Sequence, residues 1–385
     1  MSRIFHWGPL IAISIIKFVS LTTLYYFGKW SIPLWDLKSL LNLCPYCFLI
    51  FTTLYNLFIA IFNGPGYVPK NWRPANAEDE QFLQYCYRCE SFKAPRSHHC
   101  SKCNRCILKM DHHCPWINNC CGYRNQKNFF YFLLSAVIGS IHSSILLAIS
   151  LYRAIYFIPN VNNKYIYITV QGLFCILLSV GLCIGVIIAV GGLLFIQTRI
   201  LIRNRTTIED WILTKANSRK RETSFVFPYN LGLLDNIKEV LFKPLSDGIV
   251  WPVKNGCNQY TLTHEQILQK KEKLNNSTLV RIVSPYNGRF FPLFSQGIRV
   301  CLSFPINDDP RLQLEVGEEV LVTHWNKRWL YGQKITKNPK ERIKGWFPEK
   351  CAVVLIMSNS MDTKECRFDD RSDNSGDYND HEKKE

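Results

Sequence analysis

Residues 86–121 have the sequence CYRCESFKAPRSHHCSKCNRCILKMDHHCPWINNCC, and the fold of this part of the chain depends on them. They contain eight of the sixteen cysteines and four of the nine histidines in a chain of 385 residues. Cys-x2-Cys steps with interspersed histidines have the spacing of zinc ligands, and two tetrahedral sites would use eight of them. The stretch is otherwise polar, so cysteines merely buried in an apolar core are a poor alternative. A disulfide framework is also a poor one, because cytosolic thiols stay reduced.

The groups left over after eight ligands include a thiol with a base beside it. A cysteine with an ordinary pKa is only a few per cent thiolate at neutral pH, and a base oriented by a carboxylate is the general way to activate it. In an extended segment residues i and i+2 share a side, so His112 can face Cys114 while His113 points away and can bind metal. Asp111 can then hold the required tautomer of His112.

Four apolar segments lie on both sides of this cysteine-rich stretch. Each has about the 20 apolar residues that a membrane-spanning helix needs. Buried helices of a large soluble core are the alternative, but soluble helices rarely run so far without a polar face. The segments are residues 8–28, 43–62, 129–151 and about 170–197.

The basic residues predict the orientation of these spans. Ten Lys or Arg lie in residues 63–128 and seven in residues 199–221, against two in each of the other connections. Lys and Arg favour the cytosolic side, which places both termini and the cysteine-rich loop in the cytosol. The formal net charge of +16 then faces the anionic cytosolic leaflet, and no nucleic-acid partner is needed to explain it.

These motifs resemble the cysteine-rich domain of the DHHC protein S-acyltransferases, a family that also has four helices with this domain between the second and third. The resemblance implies that Cys114 is the nucleophile, with His112 as its general base and Asp111 orienting the imidazole. The matching positions are Cys86, Cys89, residues 93–100, Cys103, Cys106, residues 111–116, Asn119, Cys120, Gly122 and Asn125.

The resemblance further implies two structural zinc ions and a two-step acyl transfer. A fatty acyl chain, expected to be palmitoyl, would pass from acyl-coenzyme A to Cys114 and then to cysteines of membrane-associated proteins. Neither zinc is expected to touch the substrate. One zinc is expected on Cys86, Cys89, His99 and Cys106, and the other on Cys100, Cys103, His113 and Cys120.

Further residues match the family less completely. Residues 63–66 are Asn-Gly-Pro-Gly where the family has Asp-Pro-Gly, and residues 206–209 resemble its Thr-Thr-x-Glu motif. By this resemblance Thr207 and Trp116 support the active site, with the Thr207 hydroxyl near Asp111. The simpler interpretation is that Thr206 and Thr207 cap a helix beginning at Ile208. Gly139, about ten residues into the third span, is expected to face the end of the acyl-chain cavity.

The C-terminal part has a different pattern. Residues 262–273 predict a short helix, and alternating apolar residues from about residue 279 predict short strands of a small barrel. Residues 312–322, 329–332 and 345–348 resemble an SH3 domain, in which Trp329 and Pro348 hold groove positions and Cys351 replaces a usual tyrosine. A docking or regulatory role is expected for this barrel. The last four residues, Glu-Lys-Lys-Glu, approximate a dilysine retrieval signal and favour the endoplasmic reticulum.

The predicted fold is therefore an α-helical integral membrane protein with four transmembrane helices, a cytosolic double-zinc domain and a C-terminal all-β SH3-like barrel. The predicted domains are 1–62 (helices one and two), 63–128 (zinc domain, core 86–125), 129–198 (helices three and four), 199–278 (juxtamembrane segment), 279–357 (barrel) and 358–385 (disordered tail).

Two other functions use the same features. A membrane scaffold would need the zinc ligands but not a spare activated thiol, so the combination of Asp111, His112 and Cys114 argues against it. A zinc-finger protein that binds nucleic acid would use the basic loop, but the sequence lacks a recognition-helix pattern and carries four membrane spans. We therefore predict a protein S-acyltransferase.

Overall fold

In the computed structural model of the chain, the described residues are 3–30, 36–160, 165–219, 225–242, 246–307, 309–336, 343–357 and 363–366. They form two compact units that divide after Ile267. The predicted tail at 358–385 lies outside the described residues, except for 363–366. Each unit is considered separately below.

Four long helices in the first unit are long and apolar enough to cross a membrane, so the chain is a multi-pass membrane protein. Each extends beyond its predicted apolar segment at one or both ends, because a helix continues through the interfacial region after its hydrocarbon-matched part. They are α1 (Trp7–Trp30), α2 (Leu37–Phe62), α3 (Gln126–Ile155) and α4 (Val170–Arg203).

Helix α3 packs against both α2 and α4. Hydroxyl groups join the helices where no water is present to satisfy them: Thr53 of α2 donates to Ser135 of α3 at 3.0 Å, and Thr23 of α1 lies 2.5 Å from Ser143 of α3. Small hydroxyl residues permit close helix packing in lipid as well as hydrogen bonding. The large apolar side chains on the outer faces of the helices remain exposed, as expected for contact with lipid.

The loop between α2 and α3 contains three short antiparallel hairpins, preceded by a 3-10 helix at Ala77–Phe82. Three helices follow α4 in the chain: α5 (Thr207–Ser218), α6 (Leu233–Leu241) and α7 (Thr261–Asn275), the last of which confirms the short helix predicted at 262–273. The hairpins are β1 (Tyr85–Cys86) with β2 (Ser91–Phe92), β3 (His98–Cys100) with β4 (Arg105–Ile107), and β5 (His112–Cys114) with β6 (Asn119–Cys121).

The second unit contains β7 (Thr278–Ile282), β8 (Tyr286–Asn287), α8 (Leu293–Gln296), α9 (Ile298–Leu302), β9 (Gln313–Leu314), β10 (Glu319–Asn326), β11 (Trp329–Lys334), β12 (Lys344–Pro348), β13 (Ala352–Met357) and β14 (Thr363–Cys366). Six of these strands form an antiparallel sheet in the order β12-β11-β10-β7-β13-β14, and β8 pairs separately with β9. The core of the unit includes Val280, Trp329 and Phe347.

The all-β prediction therefore holds for the strands, whereas closure into an SH3-like barrel stays a prediction. The two short helices α8 and α9 were not predicted. Trp329, predicted at a groove position, is fully buried, and its indole Nε1 donates to the carbonyl of Val300 in α9 at 3.0 Å. That position is occupied by the unit's own chain and is not open to a ligand.

Candidate active site

The three hairpins of the cysteine-rich loop hold its cysteines and histidines on short strands and tight turns. Asn104 turns the chain between β3 and β4 with φ 50°, and Asn118 turns it between β5 and β6 with φ 45°. Asparagine adopts this left-handed region more readily than most other residues. The turns bring residues distant in sequence next to one another.

Two groups of four side chains result, and they are the two quartets expected from the resemblance. In the first, His99 Nδ1 lies 3.5 Å from Cys86 Sγ, 3.3 Å from Cys89 Sγ and 4.0 Å from Cys106 Sγ. Within each quartet the four potential ligand atoms lie within 4.8 Å of one another. The first quartet therefore draws β1, the turn that follows it, β3 and β4 together.

The second quartet joins the hairpin of β3 and β4 to the hairpin of β5 and β6. His113 Nδ1 lies 3.7 Å from Cys100 Sγ, 3.4 Å from Cys103 Sγ and 3.6 Å from Cys120 Sγ. The two thiols of Cys103 and Cys120 are 3.5 Å apart. The hydrogen bond from Cys120 outweighs burial and, with His113, lowers the pKa of Cys103 to about 4.

Both quartets fit zinc. Bonds of about 2.3 Å to sulfur and about 2.0 Å to nitrogen give a tetrahedron with edges of about 3.5–3.8 Å, which matches the sulfur–nitrogen and sulfur–sulfur distances. A set of one imidazole and three thiols is a nitrogen and sulfur donor set, which favours zinc over calcium or magnesium. Four protein ligands leave no open position, so such a zinc would be structural rather than catalytic.

The strand β5 places its two histidines on opposite sides, as the predicted alternation requires. His113 joins the second quartet, while His112 faces the carboxylate of Asp111, whose Oδ2 lies 2.7 Å from His112 Nδ1. The Cys114 thiol is only 2% exposed and is one of the groups that raise the pKa of the same imidazole. The predicted triad therefore centres on His112, which hydrogen-bonds to Asp111 and interacts electrostatically with Cys114.

Asp111 is held by residues from two helices that follow it in the chain. Thr207 at the start of α5 donates to Asp111 Oδ1 from its backbone N at 2.7 Å and from its hydroxyl at 2.9 Å. Gln197 near the end of α4 donates to Oδ2 at 2.9 Å. Burial alone would raise the pKa of Asp111, but the hydrogen bonds from His112, Thr207 and Gln197 lower it below its ordinary value. Asp111 is thus ionised and fixed in orientation.

A second thiol shares the imidazole with Cys114. Cys121 pairs with His112 across the β5–β6 hairpin, and its Sγ lies 3.7 Å from His112 Nε2. Burial alone would lower the pKa of His112, but Cys121, Asp111 and Cys114 together raise it. Burial raises the pKa of Cys121 itself to about 12. Cys121 is therefore a second buried thiol beside the imidazole of His112.

The start of α5 carries both threonines of the predicted motif in different roles. Thr206 caps the helix by accepting from Glu209 N, and Glu209 accepts from Thr206 N at 2.9 Å, which makes a capping box. The helix begins at Thr207, one residue earlier than predicted. Because Thr206 does the capping, Thr207 is free to hold Asp111.

Glu209 also ties α5 to the cysteine-rich loop. Arg96 donates to it twice, from Nε at 2.6 Å and from Nη2 at 2.8 Å, with both side chains almost fully buried. The Arg96 guanidinium also lies 4.4 Å from the ring centre of Tyr229 and 4.5 Å from that of Trp251. Arg96 thus sits between the two aromatic rings with its charge paired.

A cavity of about 400 Å³ lies among the four long helices, with Cys114 at one end. Its lining on α3 runs from Phe129 to Ser140, a depth of about 16 Å at 1.5 Å per residue. Phe129 and Cys114 pack in one apolar cluster, and Gly139 follows Phe129 by ten residues, about 15 Å further along α3. A β-carbon added to Gly139 would meet only Leu49, at 3.8 Å. The cavity is apolar, and Cys114 is part of its lining.

Trp116 lies beside Cys114 at the same end of the cavity and packs edge-on against Trp7 at 5.5 Å. The adjacent residue Gly8 approaches the catalytic loop so closely that an added β-carbon would lie 2.0 Å from the carbonyl oxygen of Pro115. The start of α1 is therefore packed directly on the residue that follows Cys114.

Three residues at this site were not predicted. Gln197 could have been noticed as a polar residue ending an apolar span, and Cys121 as a cysteine left over after the zinc ligands were counted. Arg96 lies in residues 93–100, which match the family, but no role was predicted for it from the sequence. Nothing in the local sequence indicates that Glu209, far along the chain, is its partner. Its role depends on the tertiary structure.

Comparison with known proteins bears on the activity. A profile of the DHHC palmitoyltransferase family matches residues 79–214. The chain is 38% identical over 387 residues to palmitoyltransferase ZDHHC6 of Danio rerio, covering 94% of each protein. It is 40% identical over 378 residues to palmitoyltransferase ZDHHC6 of Homo sapiens, covering 91% of each. It is also 33% identical over 245 residues to probable protein S-acyltransferase 16 of Arabidopsis thaliana, covering 60% of this chain and 82% of that protein.

The similarity to the two ZDHHC6 proteins extends over almost the full length of the chain, beyond the part that the family profile matches. The profile itself covers most of the cysteine-rich loop, α3, α4 and most of α5. These elements carry the two quartets, Asp111, His112 and Cys114, together with Gln197 and Thr207, which hold Asp111. The chain therefore belongs to the DHHC palmitoyltransferase family and is a protein S-acyltransferase.

Proposed function

We propose that this enzyme transfers a palmitoyl chain from palmitoyl-coenzyme A to protein cysteines through a thioester on Cys114. The observation that carries the proposal is the 2.7 Å contact between Asp111 and His112, with Cys114 interacting with the same imidazole and lining the cavity. The nucleophile, its base and the space for an acyl tail therefore meet at one point.

In the first step His112 removes the proton from Cys114 as the sulfur attacks the thioester carbonyl of acyl-coenzyme A. The bond between Cys114 Sγ and the acyl carbon forms, the bond to the coenzyme sulfur breaks, and His112 passes the proton it took from Cys114 to the coenzyme thiolate. Asp111 stabilises the imidazolium formed in this step and keeps Nε2 directed toward the thiol.

In the second step a cysteine of a membrane-associated protein attacks the Cys114 thioester. His112 removes its proton and returns one to Cys114, so the enzyme is restored. The acyl tail lies in the cavity while the thioester stays at its mouth, and each buried methylene contributes about 0.8 kcal/mol to binding of the tail.

Two zinc ions would be held by the two quartets and would act on structure only. The second quartet contains His113, the residue between His112 and Cys114, so this zinc would fix the backbone of β5 and with it the spacing of base and nucleophile. All chemistry in the two steps remains with Asp111, His112 and Cys114.

The test is incubation of the full-length protein in detergent with labelled palmitoyl-coenzyme A, followed by hydroxylamine. Wild type is expected to carry a hydroxylamine-labile label, Cys114→Ser is expected to carry none, and Cys257→Ser, which removes a thiol distant in sequence, is expected to be labelled like wild type. A Cys114→Ser variant that retains both the label and turnover would overturn the proposal. A scaffold without activity would show no label in any variant.

The cavity gives this function a length limit. Gly139 lies toward the end far from Cys114, so Gly139→Tyr is expected to shift the preferred acyl chain toward shorter ones by filling that end. Gly139→Ala is the matched control and is expected to keep the palmitoyl preference, because its β-carbon has room. Competition between acyl-coenzyme A chains of different length measures the preference, and an unchanged preference in Gly139→Tyr would exclude this role.

The cellular setting is part of the proposal. The distribution of Lys and Arg supports a cytosolic cysteine-rich loop, and the similarity to the ZDHHC6 proteins supports the endoplasmic reticulum. The antiparallel strands of the second unit support an SH3-like domain that binds a regulatory partner. Its binding surface would lie away from Trp329, which α9 covers.

A further inference from the structure

The loop that joins β8 to β9 in the second unit carries an exposed apolar patch. It holds both short helices, α8 and α9, and it contains side chains that would normally be buried. Phe291 is 62% exposed, Leu302 80% and Ile306 90%. We call this set the apolar patch: Phe290, Phe291, Leu293, Ile298, Leu302 and Ile306.

The loop that displays the patch is held to the unit rather than detached from it. Val300 is buried in the core and accepts from the indole of Trp329. Arg311 donates to the carbonyl of Pro305 at 3.0 Å, and its guanidinium lies 4.6 Å from the ring centre of Phe290. The patch therefore stays exposed while the loop beneath it is packed.

The charged residues within the segment that carries the patch are basic. Residues 286–306 contain Arg289 and Arg299, both exposed, and no Asp or Glu, whereas Asp308, Asp309 and Arg311 follow the segment. Exposed apolar side chains flanked by basic residues are the composition of segments that bind the interface of anionic membranes. Large exposed apolar groups on a protein surface commonly mark a site that meets a partner or a membrane.

We propose that the apolar patch inserts into the cytosolic leaflet of the bilayer that holds α1–α4, with Arg289 and Arg299 at its anionic headgroups. Two observations favour lipid over a protein partner: residues 286–306, which carry the patch, contain two arginines and no acidic residue, and the same chain is anchored in a bilayer by four spans. The contact would hold the second unit at the membrane surface, where acylated cysteines of substrate proteins also lie.

The test uses the full-length protein in lipid nanodiscs of phosphatidylcholine and phosphatidylserine. p-Benzoylphenylalanine replaces Phe291 or Leu302, and a control places it at Val316, which is 63% exposed in the same unit and follows Glu315. After illumination, mass spectrometry identifies the adducts. Phospholipid adducts at 291 and 302 and none at 316 are expected. Adducts at 291 and 302 to protein, or no lipid adduct at either site, would overturn the proposal.

A second arm tests the charge. Arg289→Gln combined with Arg299→Gln is expected to reduce the lipid adduct at 302 in anionic discs by about five-fold or more, because each arginine near an anionic surface contributes about that factor. In discs of phosphatidylcholine alone the same pair of substitutions is expected to change nothing. An equal adduct yield from both proteins in anionic discs would refute the role of the two arginines.

Discussion

The Asp111 carboxylate organises the site. It is buried, and both of its oxygens are occupied: Oδ1 by the two donors of Thr207, and Oδ2 by Gln197 and the imidazole of His112. A carboxylate with this many donors stays ionised despite burial, and it holds His112 with Nδ1 toward itself and Nε2 toward the thiols. The orientation of the base thus depends on side chains far from it in sequence.

The first prediction concerns Gln197. Gln197→Leu keeps the approximate size of the side chain but removes the donor to Asp111, and a hydrogen bond to a charged group contributes about 1.5–3 kcal/mol. We therefore expect the rate of Cys114 acylation to fall by about 10- to 100-fold, measured as the appearance of hydroxylamine-labile label. The zinc content is expected to stay at the wild-type level.

Thr198→Val is the matched control for that variant, because the Thr198 hydroxyl donates only within its own helix, to Leu194 O at 2.8 Å. Its acylation rate should remain near that of wild type. If Gln197→Leu is acylated as fast as Thr198→Val, the hydrogen bond from Gln197 to Asp111 contributes nothing to the acylation rate.

The second prediction concerns the buried Lys109. Burial, followed by the charge of Arg96, lowers the pKa of Lys109 from its ordinary 10.5 to about 7. Between these two values the unfolded chain holds more protons at this position than the folded protein does, so the free energy of unfolding rises with pH. Lys109→Met removes this contribution. From pH 8 to 9, where the folded protein has lost this proton and the unfolded chain still holds it, wild type should gain about 1.3 kcal/mol relative to the variant, measured by unfolding in detergent. Parallel pH profiles would contradict this.

At the scale of the element, short contacts between helix ends and the cysteine-rich loop position the catalytic strand. The capping box at the start of α5 fixes that helix so that Thr207 reaches Asp111. The start of α1 packs on the carbonyl of Pro115 through Gly8. Each contact connects a membrane-proximal helix end to the strand that carries Cys114.

The third prediction follows from Gly8. In Gly8→Ala the new β-carbon would lie 2.0 Å from Pro115 O, so α1 or the catalytic loop must shift. Overpacking of this kind costs about 1–3 kcal/mol, and we expect both a lower unfolding temperature and slower acylation of Cys114. Gly28→Ala in the same helix has no atom within 4 Å of the new carbon and should lose neither stability nor activity. Equal behaviour of the two variants would rule out the close approach.

At the scale of the whole molecule, one buried ion pair holds the parts of the first unit together. Arg96 belongs to the cysteine-rich loop, Glu209 to α5, and Asn204, whose carbonyl accepts from Arg96 at 2.7 Å, to the end of α4. The membrane helices, the metal-binding loop and the chain after α4 therefore meet at a single guanidinium. The apolar patch on the second unit is proposed to connect that unit to the same membrane.

The fourth prediction tests this junction. Glu209→Gln leaves the buried Arg96 guanidinium without its counter-charge, which costs about 3–5 kcal/mol, so the unfolding temperature and the acylation rate should both fall markedly. Asp210→Asn breaks the neighbouring ion pair with Arg205. The Asp210 side chain is half exposed, so this pair contributes only about 0–1 kcal/mol. Unfolding of both variants in detergent makes the comparison. A Glu209→Gln protein as stable as Asp210→Asn would refute the role of the junction.

The spans, the presence of two four-ligand zinc sites and the order of residues at the catalytic strand could be predicted from the sequence, whereas the membership of each quartet was what the resemblance to the family implied. These follow from local rules: a run of about 20 apolar residues matches the bilayer thickness, Cys-x2-Cys spacing fits one tetrahedron, and side chains alternate along an extended strand. Each rule needs only residues close to one another in the chain, and the resemblance to a family rested on the same residues.

The contact of Thr207 with Asp111 was expected from the resemblance, but only the tertiary structure shows which other groups serve that strand. Gln197 donates to Asp111, Cys121 contacts His112, Gly8 meets Pro115, and α9 covers Trp329. None of these pairs is encoded by a spacing or a period. They exist because a buried carboxylate, a desolvated guanidinium and an indole N–H each require partners, and the packing of the helices and of the sheet determines which side chains are close enough to supply them.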